Sequence, residues 1–285
     1  MHNLSLLDKM FKKARLLLIG ATLMALTGCL GTPDEPKTKD FAKIEKRKDF
    51  AVHTMKREHK PSKTMRKTTK NLILITADTF LTDQFQPLLN AAYKDKKTPT
   101  LNQFAWWAYR PLLSDIYNKV IYLDVEQAKH AIITDAIQYM EKQPEKFDLI
   151  ILSHGIPNHL TTGEVGYFMS FKEIQDLGTL KKLNLVFMQA CFGKTLAQDW
   201  LNAGARRVMS YEGFNRNFFF VGIFLNHHRF YDEDGAFFTA KRDMEKELDR
   251  NQLYKAIIKR GLGTDVKGYL AQVEEPLIDK STSRK

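Results

Sequence analysis

Cysteine is nearly absent: 285 residues hold two, Cys29 and Cys191. Two thiols exclude a disulfide-stapled scaffold and a cysteine-rich zinc site. No H-E-x-x-H occurs, and no G-x-S-x-G elbow, so a helical zinc-peptidase motif and the usual serine-hydrolase turn are missing. Basic charge is also scarce where a nucleic-acid binder needs it. The net charge of +11 is concentrated in residues 1–70, with 17 Lys+Arg against 7 Asp+Glu. Residues 71–285 carry 27 against 26, which argues against a domain-wide phosphate-binding surface and against a nucleic-acid partner. A hydrophobic content of 44% and a length sufficient for one or two domains leave an ordinary globular protein.

The N-terminal excess has its own reading. Lys9, Lys12, Lys13 and Arg15 precede an apolar run from Leu16 to Leu26 that is too short to span a bilayer comfortably. It ends in Leu26-Thr27-Gly28-Cys29, which resembles a bacterial lipobox. That resemblance implies removal of residues 1–28 as a signal peptide and acylation of Cys29. Met10 is an alternative start, and an uncleaved anchor or an ordinary signal peptide are the competing readings. With Leu30 rather than aspartate next, the expected location is the cell envelope, lipid-anchored at the outer membrane and facing the periplasm. Residues 29–70, lysine-rich with Pro33, Pro36 and Pro61, read as a lipidated basic tether. A helical stretch within Phe41–His59 is an alternative.

From Asn71 the texture changes. Short apolar runs at 72–77, 119–125, 148–153, 185–190 and 206–211 read as strands. Helices are expected over 98–113, ending near Pro111, and over 126–143, 171–180 and 195–203, the last closed by Gly204; 215–260 reads as largely helical. Strands alternating with helices imply an α/β fold: a mainly parallel sheet with helices on both faces, spanning 71–285 as one domain with a helical C-terminal portion. In such sheets reactive groups gather beyond the carboxyl ends of the strands. Ser153-His154-Gly155 and Ala190-Cys191-Phe192-Gly193 stand at two such ends.

A thiol needs a base to become a nucleophile, and a histidine supplies one that can later protonate a leaving amine. Ends of adjacent strands hold the two groups together, and glycines beside them allow a substrate backbone to approach and leave amide N–H groups free. Taken alone, such a cysteine is more often a small buried hydrophobe and such a histidine a satisfied loop residue; it is the two together, with both glycines and both strand ends, that point to catalysis.

The stretches "FDLIILSHG", "LNLVFMQACFG" and "AGARRVMSYEG" resemble the caspase-like cysteine peptidases, a clan that includes caspases, legumain, clostripain and gingipains. The resemblance runs from about Asn71 to Gly213. Gln189-Ala190-Cys191 fits the caspase signature, whereas Phe192 departs from it, and His154 lies 37 positions upstream instead of about 50. The likeness is to the layout of the clan, an α/β/α sandwich. It implies Cys191 as nucleophile, His154 as general acid/base, and the N–H groups of Gly155 and Cys191 as oxyanion hole. Gln189 matches a residue lining the primary specificity pocket, and Asp78 and Glu212, after the first and fifth strands, are candidates to select Lys or Arg, or are simple surface carboxylates. The implied activity is a membrane-anchored cysteine endopeptidase acting through a thioester on a protein or peptide substrate, with no cofactor and no metal. Transpeptidation is a variant of it. The alternative is a catalytically silent lipoprotein of the same fold serving as an envelope binding or scaffold module. His154 with His159, and His227 with His228, lack the further ligands of a zinc site, and Tyr231–Gly235 reads as an acidic turn rather than a calcium loop.

Overall fold

The structure is a computed structural model that describes residues 33–57, 69–77, 97–162, 166–212 and 220–250, with short pieces at 65, 86–87, 89–93 and 277–278. The signal-peptide and lipidation readings at 1–28 and Cys29 lie outside the described residues, as does Asp78. Ten strands occur in the described residues: β1 Phe41–Lys46, β2 Ala51–Met55, β3 Lys70–Ala77, β4 Tyr117–Leu123, β5 Phe147–Ile156, β6 His159–Thr161, β7 Tyr167–Ser170, β8 Leu183–Gln189, β9 Arg207–Met209 and β10 Leu277–Ile278. The helices are α1 Leu101–Ile116, α2 His130–Glu141, α3 Phe171–Asp176, α4 Ala197–Asn202, α5 Phe220–His228 and α6 Glu233–Arg250.

The main sheet runs β1-β2-β4-β3-β5-β8-β9-β10. Its centre, from β4 to β9, is parallel. Antiparallel strands finish both edges. In β3 every residue after Lys70 is buried, and β8 is buried throughout, as expected of strands covered on both faces. Alternation sorts the strand residues between two cores. Leu74, Ile150 and Phe187 face Trp106, Phe224 and Phe237 of α1, α5 and α6. Ile73, Ile151 and Val186 face Ile137, Ile174 and Trp200 of α2, α3 and α4. The α/β fold with helices on both faces is therefore as the sequence indicates.

Two expectations need correction. Residues 41–55 are neither tether nor helix but the β1–β2 hairpin, antiparallel on β4, with Val52 opposite Ile121. Burial decides it: Phe41, Val52 and Met55 join the cores, and Phe41 lies parallel to Trp106 at 6.1 Å between ring centres. The lysines of "FAKIEK" stay on an outer strand, where charge discourages further pairing. The folded unit thus begins well before Asn71. Helix α1 also continues through Pro111 to Ile116. The hydrogen bond lost to the proline nitrogen is offset by burial of Leu113 and Ile116 in the following turn. Among the described residues no helix is long and apolar enough to cross a membrane.

Strand β5 positions the site. It pairs with β3 as far as Ser153, opposite Ala77, and with β8 as far as Leu152, opposite Gln189. Residues 154–156 then leave the main sheet and pair antiparallel with β6, which pairs with β7 in a small second sheet. His154 is the residue at which β5 changes partners.

Candidate active site

The last parallel pair between β5 and β8 is Leu152 with Gln189. Two further residues along each strand lead to His154 and Cys191, so both motifs leave the sheet at the same level. Gly155 makes the contact direct. A Cβ on Gly155 would overlap the carbonyl of Cys191 and stand 3.2 Å from the Cβ of Ala190. Only glycine lets the outgoing β5 backbone lie against Cys191, a packing role that the sequence does not announce. His154 and Cys191 are both half-buried, and Cys191 is in no disulfide.

The chain after Cys191 is bent sharply. Phe192 takes left-handed dihedrals, φ 55° and ψ 19°, before the 3-10 turn Gly193–Leu196. An aromatic side chain in that region costs about 1–2 kcal/mol and needs support from its surroundings. The support is visible. The Thr195 amide and hydroxyl both donate to the Phe192 carbonyl, at 3.0 and 2.9 Å. The amide of Asn158, in the β5–β6 turn, donates to the Thr195 hydroxyl at 2.7 Å. On the other side the Lys194 amide donates to the Tyr211 carbonyl at 2.9 Å. The cysteine turn is thereby fastened both to the segment that follows His154 and to the end of β9. Neither Thr195 nor Asn158 carries a motif, and only Phe192, where the signature is broken, marks the bend in the sequence.

Gln189 lies two positions before Cys191 and is 3% exposed. Among the described residues neither its amide nitrogen nor its carbonyl oxygen has a hydrogen-bond partner. A buried, unpaired primary amide is costly and points to a group with unused bonding capacity. Glu212 stands beyond β9, exposed, and forms an ion pair of 3.3 Å with Lys194 of the cysteine turn. A pair this exposed contributes little to stability. The structure therefore brings together His154, Gly155, Gln189 and Cys191, and sets Glu212 at the margin.

The opposite ends of the same strands hold the other polar cluster. Asp148 accepts from Tyr117 at 3.0 Å and from Asn184 at 2.7 Å, and pairs with Lys70 at 3.2 Å. Lys70 also pairs with Glu233, and Arg207 forks onto Asp234 with two bonds of 3.0 Å. Despite its burial, Glu233 is held far below the usual carboxylate range, chiefly by the Lys70 ammonium. Burial, reinforced by Asp148, pushes the Tyr117 phenol well up. Asp148, His228 and Glu233 bring ligand-type atoms within 4.8 Å of one another. The Lys70 ammonium already supplies their positive charge, so the cluster reads as a salt-bridged anchor for α5 and α6. His228 is fully buried there, and His227 pairs with Asp243 at 2.9 Å.

No protein-family model matches the chain, and no curated protein matches it. Among solved structures, a secreted C11 cysteine protease from Bacteroides thetaiotaomicron, determined with an irreversible peptide inhibitor, superposes with a TM-score of 0.36 at 8% identity. The superposition covers 70% of this chain and 63% of that one, less than two thirds of its length.

Proposed function

We propose that the chain is a cysteine-type peptidase in which Cys191 attacks and His154 moves the proton. The reading is supported above all by the packing of Gly155 onto the Cys191 backbone, which seats the two motifs side by side at the rim of the sheet. In the reaction, His154 takes the thiol proton and the sulfur adds to the scissile carbonyl carbon. The tetrahedral oxyanion falls within reach of main-chain N–H groups, those of Gly155 and Cys191 being the candidates. The C–N bond breaks as the imidazolium protonates the departing amine, leaving a thioester. Water, deprotonated by the same imidazole, then releases the acid and restores the thiol.

Gln189 is the substrate-facing candidate, because its amide has bonding capacity that the described protein leaves unused. Glu212 selects a basic side chain only by competing with Lys194. Asp78, outside the described residues, keeps the same assignment from sequence alone. The lipobox at Leu26–Cys29 supports tethering to a membrane through acylated Cys29, at the outer membrane of the envelope.

Iodoacetamide labelling at neutral pH, mapped by mass spectrometry to Cys191, tests the reading together with cleavage of a peptide library. Rapid labelling that falls in His154→Ala, with cleavage abolished in Cys191→Ala, is expected. Labelling indifferent to His154, with no cleavage, would sink the peptidase and leave the silent envelope module.

A further inference from the structure

The small sheet that follows His154 has one covered face and one open face. Leu160, Phe168 and Met169 bury the covered face in the core shared with α2 to α4. The cross-strand pairs define the open one. His154 is opposite Thr161, Ile156 opposite His159, His159 opposite Ser170, and Thr161 opposite Tyr167. Residues two apart in a strand share a face, so His154 and Ile156 lie in one row beside His159, Thr161 and Tyr167; Thr161 is itself buried, which leaves Ile156, His159 and Tyr167 as the open part. The surface leading away from the candidate base is thus part of the sheet that carries it.

Its chemistry is specific. None of these positions is charged. Ile156 is 40% exposed and Tyr167 66% exposed, both large for side chains left in water. The Tyr167 ring packs on that of His159 with centres 4.7 Å apart and planes tilted by 43°, which makes the pair a shallow aromatic corner. Among the described residues β7 pairs only with β6, so it is the outer strand of this small sheet. The platform is held to the cysteine turn by the Asn158–Thr195 hydrogen bond, so its distance from the reacting sulfur is controlled.

We propose that the open face of the β5–β6–β7 sheet, centred on Ile156, His159 and Tyr167, is a substrate subsite that binds an uncharged peptide segment carrying a large apolar or aromatic side chain beside the scissile bond. The proposal rests on the reading of Cys191 and His154 as a peptidase dyad, which brings an extended peptide to this face. A neutral aromatic surface favours such a side chain over a charged one, because a charge docked there loses water and gains no partner.

The test uses capped octapeptides differing only in one flanking residue: Phe, Leu, Ala, Asp or Lys. Their binding to the Cys191→Ala protein is read by fluorescence anisotropy, and their cleavage by the wild-type chain is followed separately. Binding of the Phe and Leu peptides is expected to exceed that of the Ala peptide by about tenfold and to fall to the Ala level in Tyr167→Ala and Ile156→Ala. The loss in cleavage is expected in KM, with kcat kept. Asp or Lys peptides binding best, or all five weakening equally in the variants, would overturn the subsite. Failure of cleavage with apolar-selective binding intact overturns the dyad and leaves the binding surface standing.

Discussion

Strands β5 and β8 each carry polar residues at both ends, and the two ends are built in opposite ways. At the amino end, Asp148 and Asn184 sit in a dry network in which Lys70, Tyr117 and Glu233 satisfy one another. At the carboxyl end, six residues or about 20 Å further along β5, His154 and Cys191 stand with a left-handed phenylalanine, an indispensable glycine and a buried amide that has no hydrogen-bond partner among the described residues. One end spends its polar groups on cohesion. The other holds polar groups in reserve and accepts local strain, as sites that bind and react commonly do. The same pair of strands links them, so the cohesive end supplies the stiffness that the strained end requires.

Substitutions at each end sharpen this contrast. The largest effect on stability is expected from Asp148→Ala, which strips Lys70, Tyr117 and Asn184 of their common acceptor. Urea unfolding is expected to show a loss of about 3–5 kcal/mol, with Cys191 labelling of the folded fraction unchanged. A cost under about 1 kcal/mol would mean that the network is not the anchor.

Gly155→Ala comes next and works in the opposite sense. The new methyl has no room beside the Cys191 carbonyl, so β5 must shift. A destabilisation of about 1–3 kcal/mol is expected, with a fall of about a hundredfold in peptide cleavage. Full activity in that variant would break the proposed juxtaposition of His154 and Cys191.

A pH series separates the ends without perturbing the site. The carboxyl of Glu233 is held below its ordinary value of 4.5 in the folded chain. The unfolded chain therefore binds more protons below that value, and the stability this group contributes is present above about pH 4.5 and lost as the pH falls beneath it. The unfolding midpoint of wild type is expected to drop more steeply from pH 6 to pH 3 than that of Glu233→Gln. Parallel curves would remove Glu233 from the stabilising set.

The smallest effect is expected at Phe192. Changing it to glycine relieves the left-handed strain but frees the unfolded chain, so stability is expected to move by no more than about 1 kcal/mol. A larger loss, read by thermal unfolding, would assign the ring a packing role that outweighs its backbone.

The sequence is most transparent where strands are buried on both faces. "LILITA", "DLIILS" and "LNLVFM" each hold four consecutive apolar residues, and their sheet, with helices on either side, follows from these runs and the helical patterns between them. The pairing of a His-Gly with an Ala-Cys at strand ends is legible for the same reason, since the strands leading to them are unmistakable. The β1–β2 hairpin was hidden because an edge strand buries few residues, and "FAKIEK" differs little from a charged linker. The amino-end network was hidden because Lys70, Asp148 and Asn184, each at the start of an apolar run, look like ordinary strand boundaries. The Asn158–Thr195 bond joins residues 37 positions apart and leaves no local pattern to find.

The partner change of β5 at His154 has a mechanical consequence. Because His154 begins the outgoing hairpin while Cys191 follows a strand of the main sheet, any tilt of β6 and β7 that changed their spacing would have to drag Leu160, Phe168 and Met169 through the core beside α2 to α4. The Asn158–Thr195 hydrogen bond adds a second tie across the same junction, so the spacing of the two motifs is fixed from both sides.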